Sequence, residues 1–113
     1  MIRTWNGKTP IVHPSAYVNE MAYVIGDVEI GENSTVWPAA VIRADEGYIR
    51  IGSNTHIQDG SVIHVDHHGI VGNNINVGNS VVIHADKIGN YCLIGNNSTL
   101  LEEVEIGDYC IVG

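Results

Sequence analysis

Large aliphatic residues recur every six positions along almost the whole chain, and no other feature limits the fold as much. Val12, Val18, Val24, Ile30, Val36 and Ile42 fall six apart without a miss. The series resumes at Ile51, Ile57 and Ile63, then at Val71, Val77 and Ile83. It closes with Ile88, Ile94, Leu100, Ile106 and Val112, and all 17 positions are Ile, Val or Leu. Four residues after most of them stands a smaller side chain, as at Ala16, Ala22, Ser34, Ala40, Thr55, Ser61, Cys92 and Ser98, with Ile75 the bulky exception. Gly often follows the aliphatic residue, as in Ile30-Gly31 and Ile51-Gly52, and Asn or Asp tends to come within two positions more.

A large and a small inward residue separated by turn chemistry suit a short strand followed by a sharp corner. Hexads of this kind read as an all-β chain, a parallel β-helix with three strands per coil. Seventeen hexads make five to six coils. Helical periodicity is absent, which excludes α/β alternatives. The composition agrees, with 13 Gly, abundant Ile and Val, and no Phe. A chain of 113 residues is expected to form a single domain over 1–113. Its formal net charge of −8 excludes the basic surface that nucleic acid or anionic lipid requires. No apolar run is long enough for a membrane span and no signal peptide opens the chain, so a cytoplasmic location is expected.

The repeat breaks three times, all in the middle of the chain. Ile42 to Ile51 is nine residues, with three inserted around Ala44-Asp45-Glu46-Gly47-Tyr48. Ile63 to Val71 is eight, with two inserted near Asp66-His67-His68-Gly69, and Ile83 to Ile88 is five, with one deleted at Asp86-Lys87. Corners of a solenoid tolerate insertions, but breaks in a regular pattern are also where function tends to sit. Because three hexads make a coil, Ile42, Ile63 and Ile83 form one column. Arg43, His64 and His84, directly after them, are expected to stack outward one rung apart. Two imidazoles at that spacing can share a metal ion, or form a solvated surface pair. A catalytic zinc usually takes three protein ligands and a water, so a neighbouring chain would supply the third, which predicts a cyclic trimer.

Three runs carry a resemblance: Val36-Trp37-Pro38-Ala39-Ala40-Val41-Ile42-Arg43-Ala44-Asp45, Ile57-Gln58-Asp59-Gly60-Ser61-Val62-Ile63-His64, and Val77-Gly78-Asn79-Ser80-Val81-Val82-Ile83-His84. Together they resemble the γ-class carbonic anhydrase-like proteins, over nearly the whole chain. The resemblance implies a left-handed β-helix, a homotrimer, and metal sites between subunits that catalyse reversible hydration of CO2 to bicarbonate by metal-bound hydroxide. It makes His64 and His84 the same-chain ligands. It gives Gln58 the orientation of hydroxide, Glu46 a proton-shuttle position, and Arg43, Asp45 and Asp59 a charged cluster at the subunit interface. His56 stands where the family more often has Asn. Zinc is the default ion, and imidazole ligands also suit iron or cobalt. The family also implies further coils and a C-terminal capping helix, absent from a chain that stops mid-hexad at Ile111-Val112-Gly113.

One departure matters most. The third ligand position, supplied from the neighbouring chain, is Asn79, and Asn is a poor zinc ligand. Either the ion is held weakly, or another group substitutes, or no metal binds; His67, His68 and Asp86 are the local candidates for substitution. Two other classes of function are weighed with it: a catalytically inactive relative acting as an assembly scaffold, and a hexapeptide-repeat acyltransferase using one His as general base. Cys92 and Cys110 fall on adjacent rungs, at a spacing compatible with a disulfide, but two buried thiols are the simpler expectation.

Overall fold

In the computed structural model, which describes residues 1–113, sixteen short strands and no helix wind into a three-sided parallel solenoid. The hexad columns are its faces. On the first face Val24, Ile42, Ile63, Ile83 and Leu100 pair rung to rung in parallel register. On the second, Val12, Ile30, Ile51, Val71, Ile88 and Ile106 do the same. The third stacks Val18, Val36, Ile57, Val77, Ile94 and Val112 in a six-stranded sheet, which gives six coils. Strands Tyr23–Ile30 and Val41–Ile51 run unbroken around the corner between the first two faces and join them into one ten-stranded sheet. The aliphatic columns and the small residues after them meet inside as one cluster of 23 buried residues.

The glycines that directly follow the aliphatic residues serve a purpose other than the turn geometry expected of them. At several regular corners the left-handed backbone falls two residues later, at Asn33, Asn54, Asn74 and Asn97 (φ between 52° and 64°). At Gly52 the requirement is close stacking of coils: a Cβ there would lie 2.6 Å from the carbonyl oxygen of Gly72 on the next rung. The small inward position is partly polar for a related reason. Ser34 Oγ donates to Gly52 O at 2.6 Å, Thr55 Oγ1 to Gly72 O at 2.7 Å, and Ser61 Oγ to Gly78 O at 2.6 Å. Each hydroxyl satisfies a carbonyl at the next coil's corner that the core would otherwise leave unpaired. No buried side-chain polar atom lacks a partner.

All three breaks fall at one corner, between the first and second faces. Ala44, Val65 and Ala85 remain inward and buried there, so the core runs on beneath the irregularity. The extra residues bulge outward. Gly26 pairs with Ala44 and Val28 with Ile49, so four residues of one rung oppose one of the other. Gly47, at φ 83°, lies directly on the His67 carbonyl, where no side chain fits. Cys92 and Cys110 are free thiols, and Cys92 Sγ lies 3.1 Å from Gly107 O. No helix is long and apolar enough to cross a membrane.

Candidate metal centre

Two groups of polar side chains stand on the outer surface, one on the first face and one on the third. The first is the expected column. Arg43 and His64 occupy paired positions on neighbouring rungs, and His84 follows Ile83 one rung further. The His64 and His84 rings pack edge to face with centroids 5.4 Å apart. Asp45, at the start of the insertion, holds Arg43 Nη1 on one carboxylate oxygen and His64 Nε2 on the other, both at 3.2 Å. The insertion therefore bends a carboxylate back over the face, and this fixes the ring beside it. An ion that took His64 Nε2 would displace Asp45; one that took Nδ1 would leave the contact intact.

Imidazole nitrogens on adjacent rungs are a suitable pair of donors for zinc, iron or cobalt. They are also all that one chain supplies, since no set of three His, Cys, Asp or Glu side chains converges anywhere in it. His67 and Asp86 share a recess of about 300 Å³ with His84, Glu102 and Glu103, but form no ligand set. His68 is engaged in stacking on Tyr48, with centroids 5.9 Å apart. The two rings thus offer two imidazole donors, and any further ligand to an ion held there would have to come from outside the chain.

The second group lines an open groove of about 410 Å³ on the third face: Thr35, Trp37, His56, Gln58, Asp59 and Asn76. Gln58 and Asp59, which the resemblance associates with the metal site and the subunit interface, both line this groove. Within one chain they share neither a hydrogen bond nor a recess with His64 or His84. The hexad that separates Ile57 from Ile63 carries the chain from one face to the next, so Gln58 opens onto the neighbouring side. Gln58 Nε2 reaches Asn76 Oδ1 at 3.4 Å. Asn79 lies past the same strand, exposed in a corner, its backbone N–H donating to Asn96 Oδ1 at 2.8 Å. Glu46 is exposed on the insertion beside Asp45.

Sequence reasoning missed two neighbours of these groups. Glu102 Oε1 is 4.0 Å from His84 Nδ1, because Leu100 continues the column of Ile42, Ile63 and Ile83 by one rung. Thr35 Oγ1 lies 2.6 Å from His56 Nδ1 and accepts from Trp37 Nε1 at 2.8 Å. The signal was available in both cases, since Thr35, His56 and Asn76 precede Val36, Ile57 and Val77 by one residue each and so share a column.

Residues 87–113 match the family model described as bacterial transferase hexapeptide (six repeats). The solved structure of a hexapeptide transferase family protein from Anaplasma phagocytophilum superposes with a TM-score of 0.93 at 29% identity, over 97% of this chain and 66% of that one. The fold and the repeat make this a hexapeptide-repeat protein. Within that class it is γ-carbonic anhydrase-like. It is 40% identical over 101 residues to the mitochondrial gamma carbonic anhydrase 1 of Arabidopsis thaliana, which covers 82% of this chain and 37% of the relative. It is 34% identical over 109 residues to protein YrdA of Escherichia coli K12, covering 88% of this chain and 59% of the relative.

Proposed function

We propose that the chain is a subunit of a γ-carbonic anhydrase-like homotrimer in which His64 and His84 hold a metal ion at the boundary with a neighbouring copy. The observation that carries this reading is the His64–His84 pair, at 5.4 Å, with Asp45 and Arg43 fixing one of the rings. Zinc is the default ion for such donors, with iron or cobalt as alternatives. When bound, the ion supplies hydroxide from water near neutral pH, which suits hydration of CO2 to bicarbonate. Gln58 has the donor and acceptor needed to orient a small substrate or water, and it reaches the histidines only when the third face of one copy meets the first face of another. Glu46 has the exposure to pass a proton to solvent. Arg43, Asp45 and Asp59 place charges of both signs on the two faces to be joined. A cytoplasmic location belongs to the same reading.

The test is the metal content per chain of protein purified without chelators, followed by CO2 hydration. About one ion per chain is expected for a site shared cyclically between copies. His64→Ala with His84→Ala should abolish both metal and hydration. A metal content near zero after zinc or iron supplementation overturns the reading. It would favour a trimeric scaffold, for which Asn79 at the third ligand position already speaks. Transfer of an acyl group from a thioester, suggested by the transferase resemblance, is excluded or established by assaying the same protein with acetyl-thioester donors.

A further inference from the structure

The site on the first face has two imidazoles and needs a third strong donor, and the residue at the expected position is an amide. The third face carries a histidine whose Nδ1 is held by a hydroxyl and whose Nε2 has no hydrogen-bond partner within the chain. His56 lies half-buried in the groove beside Gln58, on the neighbouring strand of the same column as Thr35. Its Nδ1 is 2.6 Å from Thr35 Oγ1, and that hydroxyl also accepts from Trp37 Nε1. A histidine that binds metal through one nitrogen usually anchors the other on a neighbouring oxygen, which fixes the ring and its tautomer. When Nδ1–H donates to Thr35 the contact is that arrangement and Nε2 keeps the free lone pair; in the other tautomer the hydroxyl donates to Nδ1 and Nε2 carries the proton. The groove is open, and Trp37 and Tyr17, in contact at 5.3 Å, expose aromatic surface at its edge. Exposed aromatic residues are enriched where a protein surface meets a partner.

We propose that His56 of one copy, not Asn79, is the third metal ligand at the His64–His84 pair of the next copy. The inference rests on the intersubunit metal reading above and adds to it the identity of the donor. It follows from the placement of Gln58. If Gln58 is to work at the histidine pair, the third-face groove has to close over the first face, and His56 lines that groove with it. The charges are compatible: Arg43, half-exposed on the first face and paired with Asp45, would meet the Asp59 of a groove closed over it. Imidazole also repairs the chemistry, giving a three-nitrogen set of the kind that catalytic zinc uses. Thr35 is then a positioning residue, since it acts through the ring.

The experiment reads metal content, oligomeric state by light scattering, and the visible spectrum of the cobalt-substituted protein. Wild type, His56→Gln, Asn79→Ala and the His64→Ala/His84→Ala double variant are purified and reconstituted alike. His56→Gln is expected to lose tenfold or more in metal affinity and the tetrahedral cobalt bands while remaining a trimer, and Asn79→Ala to retain both. Full metal occupancy in His56→Gln, with loss in Asn79→Ala, would overturn the assignment and leave the metal reading standing. No metal in the wild type would overturn both. Supply in trans is tested by refolding His56→Gln chains with double-variant chains in equal amounts. Random mixing orients about one boundary in four correctly, so about a quarter of the wild-type metal should return. No recovery in mixed trimers would mean that His56 does not act across the boundary.

Discussion

The two kinds of corner in this solenoid use the same chain for opposite purposes. A regular corner such as Gly52–Thr55 is closed to chemistry. Its glycine lies against the next coil, its Asn54 takes the left-handed backbone, and its Thr55 hydroxyl ties the coil to Gly72 O. The corner of Asp45–Tyr48, Asp66–His68 and Asp86 abandons this economy. Its insertions project carboxylates and imidazoles, and one of them, Asp45, turns back onto His64. The difference teaches that the buried columns, rather than the corners, hold the coils in register. Wherever the columns continue, a corner is free to change length.

That statement is open to direct attack. Ile49 follows the longest insertion and Ile57 follows a regular corner, and both are fully buried. Truncation to Ala at either should cost about 2–5 kcal/mol in denaturant unfolding, as for other buried Ile residues. Equal losses mean that the column is as tightly packed under the irregular corner as elsewhere. A loss at Ile49 below about 1 kcal/mol would show instead that the insertion loosens the coil, and the comparison would fail.

The same contrast explains what was legible in the sequence. The columns announce themselves because inward volume repeats with period six, and the pairing of Ile42, Ile63 and Ile83 follows from counting three hexads. That arithmetic also places His64 beside His84. The left-handed corner positions carry no such mark. Asn fills some of them, but Ala39, Ser80, Tyr91, Glu103 and Tyr109 fill others, since backbone geometry and not side-chain type selects the site. The glycines at Gly31, Gly52, Gly89 and Gly95, which looked like turn residues, answer to a neighbour one coil away that a hexad by itself does not reveal. Asp45 over His64 was likewise hidden, because the insertion's path depends on how three extra residues leave the sheet. The division of Gln58 from His64 between two faces was implicit in the six residues between Ile57 and Ile63.

Intermediate effects should separate the corners most cleanly. Thr55→Val keeps the shape of the side chain but strands the Gly72 carbonyl inside the coil, a loss of about 1–3 kcal/mol. Glu46→Gln, at the exposed irregular corner, should change stability by less than about 0.5 kcal/mol. It should nevertheless lower CO2 hydration by about 100-fold, with metal content unchanged, if Glu46 moves the proton. A fall in metal content with Glu46→Gln would instead assign that carboxylate to holding the site together.

The smallest effect tests where regularity returns. One coil beyond the breaks, Leu100 to Ile106 again spans six residues, and Glu103 stands at φ 67° just before the inward Val104. Glu is a poor occupant of that backbone region and Asn a good one, as Asn54 and Asn74 show at regular corners. Glu103→Asn should therefore raise stability by about 0.5–1 kcal/mol, seen as a higher midpoint with an unchanged denaturant slope. It also removes one carboxylate from the recess around His84 and His67. If the gain appears while metal content holds, Glu103 is only a corner residue and the irregular corner has ended by this rung. If metal content drops with it, the working surface extends one coil further than the three breaks mark.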